Sequence, residues 1–89
     1  MATTDALQTV RVFVREGCHL CEDLLVALEA FRLQKSDQLR FNVEVCDIED
    51  RADWLAHYTA HVPVVVVNDE EVCHYFLDQE ELENALKCL

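Results

Sequence analysis

Residues 9–25, "TVRVFVREGCHLCEDLL", pass from one periodicity to another across a single glycine, and that change decides the fold. Val10, Val12 and Val14 alternate with Thr9, Arg11 and Phe13. A two-residue repeat rich in β-branched side chains predicts a strand, here over 9–16. Gly17, the chain's only glycine, can take the backbone angles of a tight strand-to-helix turn. From Cys21 onward Leu24, Leu25, Leu28 and Phe31 recur at steps of three and four, which puts them on one face of a helix predicted over 19–34.

Working outward, "LRFNVEVCDIE" (39–49) alternates again and predicts a second strand, with Phe41, Val43 and Val45 opposed to Asn42, Glu44 and Cys46. Asp50 is placed to cap a short helix over 51–59 whose inner side carries Trp54, Leu55 and Tyr58. Strand, helix and strand of these lengths suit a right-handed parallel crossover. Val64–Val67 form a wholly apolar run, as in a strand covered on both faces. Asn68-Asp69 supplies turn chemistry, so 71–76 should return antiparallel. Asp78 and Glu81 read as a capping box opening a last helix with Leu82, Ala85, Leu86 and Leu89 on its apolar face. The order is βαβαββα, an α/β domain with a four-stranded mixed sheet and three helices. One domain spans 1–89, with 1–8 expected to be a flexible lead.

Composition narrows the function. A chain of 89 residues builds one core, and 52% hydrophobic content argues for a globular fold. Eighteen acidic against seven basic residues give a formal charge of −11, which repels a phosphate backbone and an anionic membrane surface. Nucleic acid and membrane are therefore not expected as partners. The opening "MATTDALQTV" is polar and no apolar run reaches the ~18 residues of a membrane span. A cytoplasmic location is expected, where thiols stay reduced and a close cysteine pair points to catalysis or metal rather than a structural bridge.

Cys18 and Cys21 are that pair, and Cys18 falls where the first helix begins. Unpaired amides and the positive end of the helix dipole favour a thiolate there, and the thiolate is the attacking species. Arg15 and a protonated His19 add to this effect, while Glu16, Glu22 and Asp23 oppose it. Positions i and i+3 share a helix face, so Cys21 is able to close a disulfide with Cys18 and is expected to be the more buried of the two. Two other readings stand beside the redox one. The pair could be small buried residues, or part of a metal site, including an iron–sulfur cluster shared through Cys18 by two copies. Cys46 and Cys73 lie in predicted strands and read as small hydrophobes.

A Cys-x-x-Cys between the first strand and first helix, "HVPVVVV" (61–67) and the βαβαββα order together resemble the thioredoxin fold, and most closely the small glutaredoxin-like proteins. The resemblance runs from about Thr9 to Leu86. It implies a thiol–disulfide oxidoreductase in which Cys18 attacks and Cys21 resolves, with protein or glutathione disulfides as partners. The chain is expected to be a monomer with no tightly bound cofactor, glutathione serving as a co-substrate. It further implies a cis Val62–Pro63 bond facing the cysteines, the Val62 main chain pairing with an extended substrate. By the same resemblance Arg15 matches a basic position that contacts a glutathione carboxylate, and the amides near Asp78 match the helix start that holds its γ-glutamyl end. His19 completes the candidate contact set. The chain departs from glutaredoxins at "HYFLD" (74–78), where they carry a Gly-Gly pair. The alternative from another class is a non-catalytic binding module that docks a partner, or carries a metal or iron–sulfur cluster, on the same face.

Overall fold

The computed structural model describes residues 8–87. The flexible lead expected of 1–8 lies outside the described residues except for Gln8, as do Cys88 and Leu89. Strand β1 (Gln8–Val14) pairs in parallel with β2 (Phe41–Asp47) after helix α1 (His19–Gln34). On its other side β1 pairs antiparallel with β3 (Val64–Val67), which pairs antiparallel with β4 (Glu70–His74). The sheet order is β2-β1-β3-β4. Helix α2 (Ala52–Tyr58) joins β2 to β3, and α3 (Gln79–Lys87) ends the chain's described part. The order βαβαββα and the mixed four-stranded sheet are as the sequence predicts.

Two apolar clusters explain why the central strands read as they do. Val10, Val12, Val65 and Val67 pack with Leu24, Leu28 and Phe31 of α1 and Leu82 and Leu86 of α3. On the other face Phe13, Cys46, Ile48, Val64 and Val66 pack under Trp54 and Tyr58. The alternate valines of β3 thus enter opposite clusters, so every residue of that strand must be apolar. The second cluster is thinner and relies on rings: Phe13 stacks on Tyr58 at 4.3 Å and meets Trp54 edge-on at 5.2 Å. Each such pair is worth about 0.5–1.5 kcal/mol beyond the area it buries.

Several expectations need correction. Strand β1 ends at Val14 rather than Glu16, because Cys18 donates its amide to the Arg15 carbonyl and closes a turn there. In β2 Val45, which alternation puts on the face of Phe41 and Val43, is 53% exposed, while Cys46 on the opposed face is buried. The physical reason is that β2 is an edge strand: the larger cluster reaches Phe41 and Val43 but not Val45, whereas Cys46 sits opposite Phe13 in register. Asp50 does not cap α2. It lies in a 3-10 turn, Ile48–Asp50, whose own cap is Asp47, and Arg51 precedes α2 with no side-chain cap bond. Leu55 is 36% exposed, leaving Trp54 and Tyr58 as the side chains that α2 packs inward. Strand β4 runs 70–74 instead of 71–76, since Tyr75 turns into the left-handed region at φ 66°. The Asn68-Asp69 turn has both residues at positive φ, 54° and 67°, the geometry a two-residue hairpin uses to match the strand twist.

Candidate active site

Register brings three separated segments to one end of the sheet. Phe13 pairs with Val64, so Pro63 lies toward the end of β1 at which the chain leaves for Cys18. Val64 also pairs with His74, which carries Tyr75 to that same end, where the Tyr75 amide donates to the Pro63 carbonyl at 2.8 Å. The Val62–Pro63 peptide is cis. Arg15, Glu16, Gly17 and Cys18 form the turn into α1, with Gly17 at φ 80°. A Cβ at Gly17 would meet no atom within 4 Å. The turn therefore requires glycine for its backbone angle, not for space.

Cys18 is the N-cap of α1 and has extended backbone (φ −96°, ψ 110°). Its Sγ accepts from the Cys21 amide at 3.1 Å, taking the place usually held by a serine or aspartate oxygen. A first-turn N–H and the positive end of a 16-residue helix are thus aimed at one sulfur. Cys21, as expected, is the more buried, only 3% exposed against a half-buried Cys18. Burial, followed by its hydrogen bond to Cys18, pushes the Cys21 thiol up to about 12. Burial also pushes up the thiols of Cys46 and Cys73, with Glu44 adding to the effect at Cys46. Glu22 sits in the first turn of α1 and adds a further upward push at Cys21.

The remaining candidates are placed as follows. Arg15 is tied to Glu49, Nε to Oε2 at 3.2 Å, in a half-exposed pair. His19 is exposed on the first residue of α1. Val62 packs partly into the smaller cluster and Pro63 is buried. Asp78 accepts the Glu81 amide at 3.1 Å, the first half of the expected capping box. The second half is replaced: the Asp78 amide points to the Cys73 sulfur at 3.5 Å. Among the described residues no three His, Cys, Asp or Glu side chains gather so as to hold a metal ion. No helix among them is long and apolar enough to cross a membrane.

No periodicity or motif in 75–78 announces the strap between β4 and α3. Phe76 donates its amide to the His74 carbonyl at 2.7 Å around Tyr75, a tight turn of positive φ that is rare for a bulky residue. The Tyr75 hydroxyl donates to the Ala60 carbonyl at 2.7 Å. The strap is so held at both ends of Tyr75 while Phe76 stands 68% exposed. A groove of about 270 Å³ separates it from the first turns of α1, with Leu20, Asp23, Tyr75 and Phe76 among its walls.

A parallel-antiparallel sheet between helices, with a cysteine pair opening the first helix, defines a thioredoxin-fold protein of the two-cysteine type. The model of the glutaredoxin-like domain (DUF836) matches residues 9–87, so the chain belongs to that glutaredoxin-like family. Protein Ne2328 from Nitrosomonas europaea, solved in solution, is similar at 34% identity and a TM-score of 0.74, covering 91% of this chain and 93% of that one. A malarial protein is similar in fold at 13% identity and a TM-score of 0.63, covering 92% of this chain and 96% of that one. Thioredoxin 1 from Thermosipho africanus is similar in fold at 16% identity and a TM-score of 0.57, covering 89% and 94%. No significant match was found among curated proteins. Family, fold and the Cys18/Cys21 pair together support a redox-type role.

Proposed function

We propose that this protein is a thiol–disulfide oxidoreductase that works by dithiol exchange, with Cys18 as nucleophile and Cys21 as resolving thiol. One observation carries the reading: Cys18 Sγ receives the first-turn amide of α1 while a buried Cys21 lies one turn away. The Cys18 thiolate attacks one sulfur of a substrate disulfide, the substrate S–S bond breaks, and the other substrate sulfur leaves as a thiolate that takes up a proton. Cys21 then gives up its proton and attacks Cys18 Sγ, forming the Cys18–Cys21 bond and releasing the first substrate sulfur. Two electrons have passed to the substrate. A thiol reductant must return the protein to its dithiol form. Because Cys21 is held as a neutral thiol well above neutral pH, it does not compete with Cys18 for the first attack. The protein acts as a cytoplasmic monomer in this reading and needs no tightly bound cofactor.

The test is a Cys21→Ser variant mixed with a disulfide substrate. It accumulates a mixed disulfide on Cys18, visible by mass spectrometry and reversed by dithiothreitol. A variant that forms no adduct on Cys18 would remove the mechanism.

A further inference from the structure

Resting on that oxidoreductase reading, we infer that the substrate is a cationic polypeptide disulfide whose apolar flank enters the groove between α1 and the Tyr75–Phe76 strap, and that glutathione disulfide is disfavoured. The groove begins within the cysteine pair's own turn of helix, because Leu20 lines it. Its walls are mainly Leu20, Leu24, Ala27, Tyr75, Phe76 and Leu77. Phe76 offers a large exposed ring on a backbone fixed by the Tyr75 contacts to Pro63 and Ala60. An apolar ring held in water on a constrained backbone is suited to meet a hydrophobic side chain with little further ordering cost.

Charge decides what else the occupant carries. Glu16, Glu22 and Asp23 surround the cysteine turn, and Asp23 lines the groove itself. Across it the start of α3 carries Asp78, Glu80 and Glu81, all exposed. Three donors that an anion could use are already engaged. Arg15 is matched by Glu49, the Glu81 amide by the Asp78 carboxylate, and the Asp78 amide by the Cys73 sulfur. Each half of glutathione disulfide has one more carboxylate than ammonium, so it meets repulsion at both rims. A peptide with Lys or Arg beside its cysteine meets complementary charge, which raises the encounter rate and orients the approach.

The test presents the reduced full chain, in single turnover with acid quench and mass spectrometry, with three disulfides. These are a Leu-containing peptide disulfide flanked by Lys, its twin with Glu in place of Lys, and glutathione disulfide; a small neutral aliphatic disulfide is the reference. At low salt the Lys peptide should react at least about tenfold faster than either anion, a gap that narrows at about 0.5 M salt. In Phe76→Ser the ratio of the Lys-peptide rate to the neutral-disulfide rate should fall about fivefold, the loss of one modest apolar contact. Equal rates for the two peptides, glutathione disulfide reacting fastest, or an unchanged ratio in Phe76→Ser overturns the inference. If the neutral disulfide reacts normally, the oxidoreductase reading survives that outcome; if it fails to oxidise Cys18 and Cys21 at all, both fall together.

Discussion

The starts of α1 and α3 use the same geometry with different atoms. Cys18 Sγ accepts the Cys21 amide at 3.1 Å, and Asp78 Oδ1 accepts the Glu81 amide at 3.1 Å. At α3 the cap is an exposed carboxylate, and Glu80 and Glu81 follow it, so the helix end carries permanent negative charge. At α1 the cap is a sulfur whose negative charge can be made, spent in a bond and made again. An N-cap oxygen answers a structural need. A sulfur at the same position answers that need while leaving the helix field available to a nucleophile.

The largest expected effect comes from making the two starts alike. Cys18→Asp should abolish disulfide exchange, a loss of at least about a thousandfold in single-turnover rate with a small neutral disulfide. Retention of that rate would mean that the sulfur at α1 is only a cap. A second prediction concerns the resolving thiol and follows from linkage. Burial raises folded Cys21 from its ordinary value of 9.0 to about 12, so between these pH values the folded chain holds a proton that the unfolded chain has lost. Stability is then intact below about pH 9 and falls as pH climbs toward 12. Thermal unfolding between about pH 8 and 10.5 should show a falling Tm, and Cys21→Ala should flatten that slope. An identical slope in the variant would place the effect on Cys46 and Cys73, whose thiols are also pushed up.

Smaller effects test the caps as structure. Asp78→Ala removes the oxygen that holds the Glu81 amide and should cost about 1 kcal/mol, a drop of about 4–8 °C in Tm for a domain of this size. The smallest is the other side of the first exchange. By giving α1 a stronger, permanently charged cap, Cys18→Asp should raise Tm by about 2–4 °C, or about 0.5 kcal/mol. An unchanged Tm with that substitution would show that the sulfur caps α1 as well as a carboxylate does, and a fall that it caps better.

Local signals account for what could be read without coordinates. The strand-to-helix change at Gly17, the four valines of β3 and the Asn68-Asp69 turn each depend on neighbouring residues, and the start of α1, β3 and the hairpin turn form where the pattern places them. The burial order of Cys18 and Cys21 was legible for the same reason: one caps the helix and the other begins its apolar face. The misreadings lie where the partner is distant. Val45 fits the inner face by alternation, yet only the sheet order shows that β2 is an edge beyond the reach of the larger cluster. Glu81 has the right spacing to reach back to the Asp78 amide, but Cys73 on β4 is there instead. Nothing in "HYFLD" announces that Tyr75 takes a positive φ, because its two anchors, Pro63 and Ala60, belong to another part of the chain.

Periodicity, one glycine and the two-residue gap between Cys18 and Cys21 are properties of the sequence by itself. They determined the element order, the helix start and the presence of a cysteine pair on it, since each arises within a few residues of chain. What surrounds that pair was decided by tertiary structure. The sheet register brings Pro63 and the Tyr75–Phe76 strap to the end of β1, Glu49 takes up Arg15, and Cys73 takes up the amide of Asp78. Those contacts join residues far apart in sequence, and which donors stay open to a substrate depends on how the elements pack rather than on any one stretch.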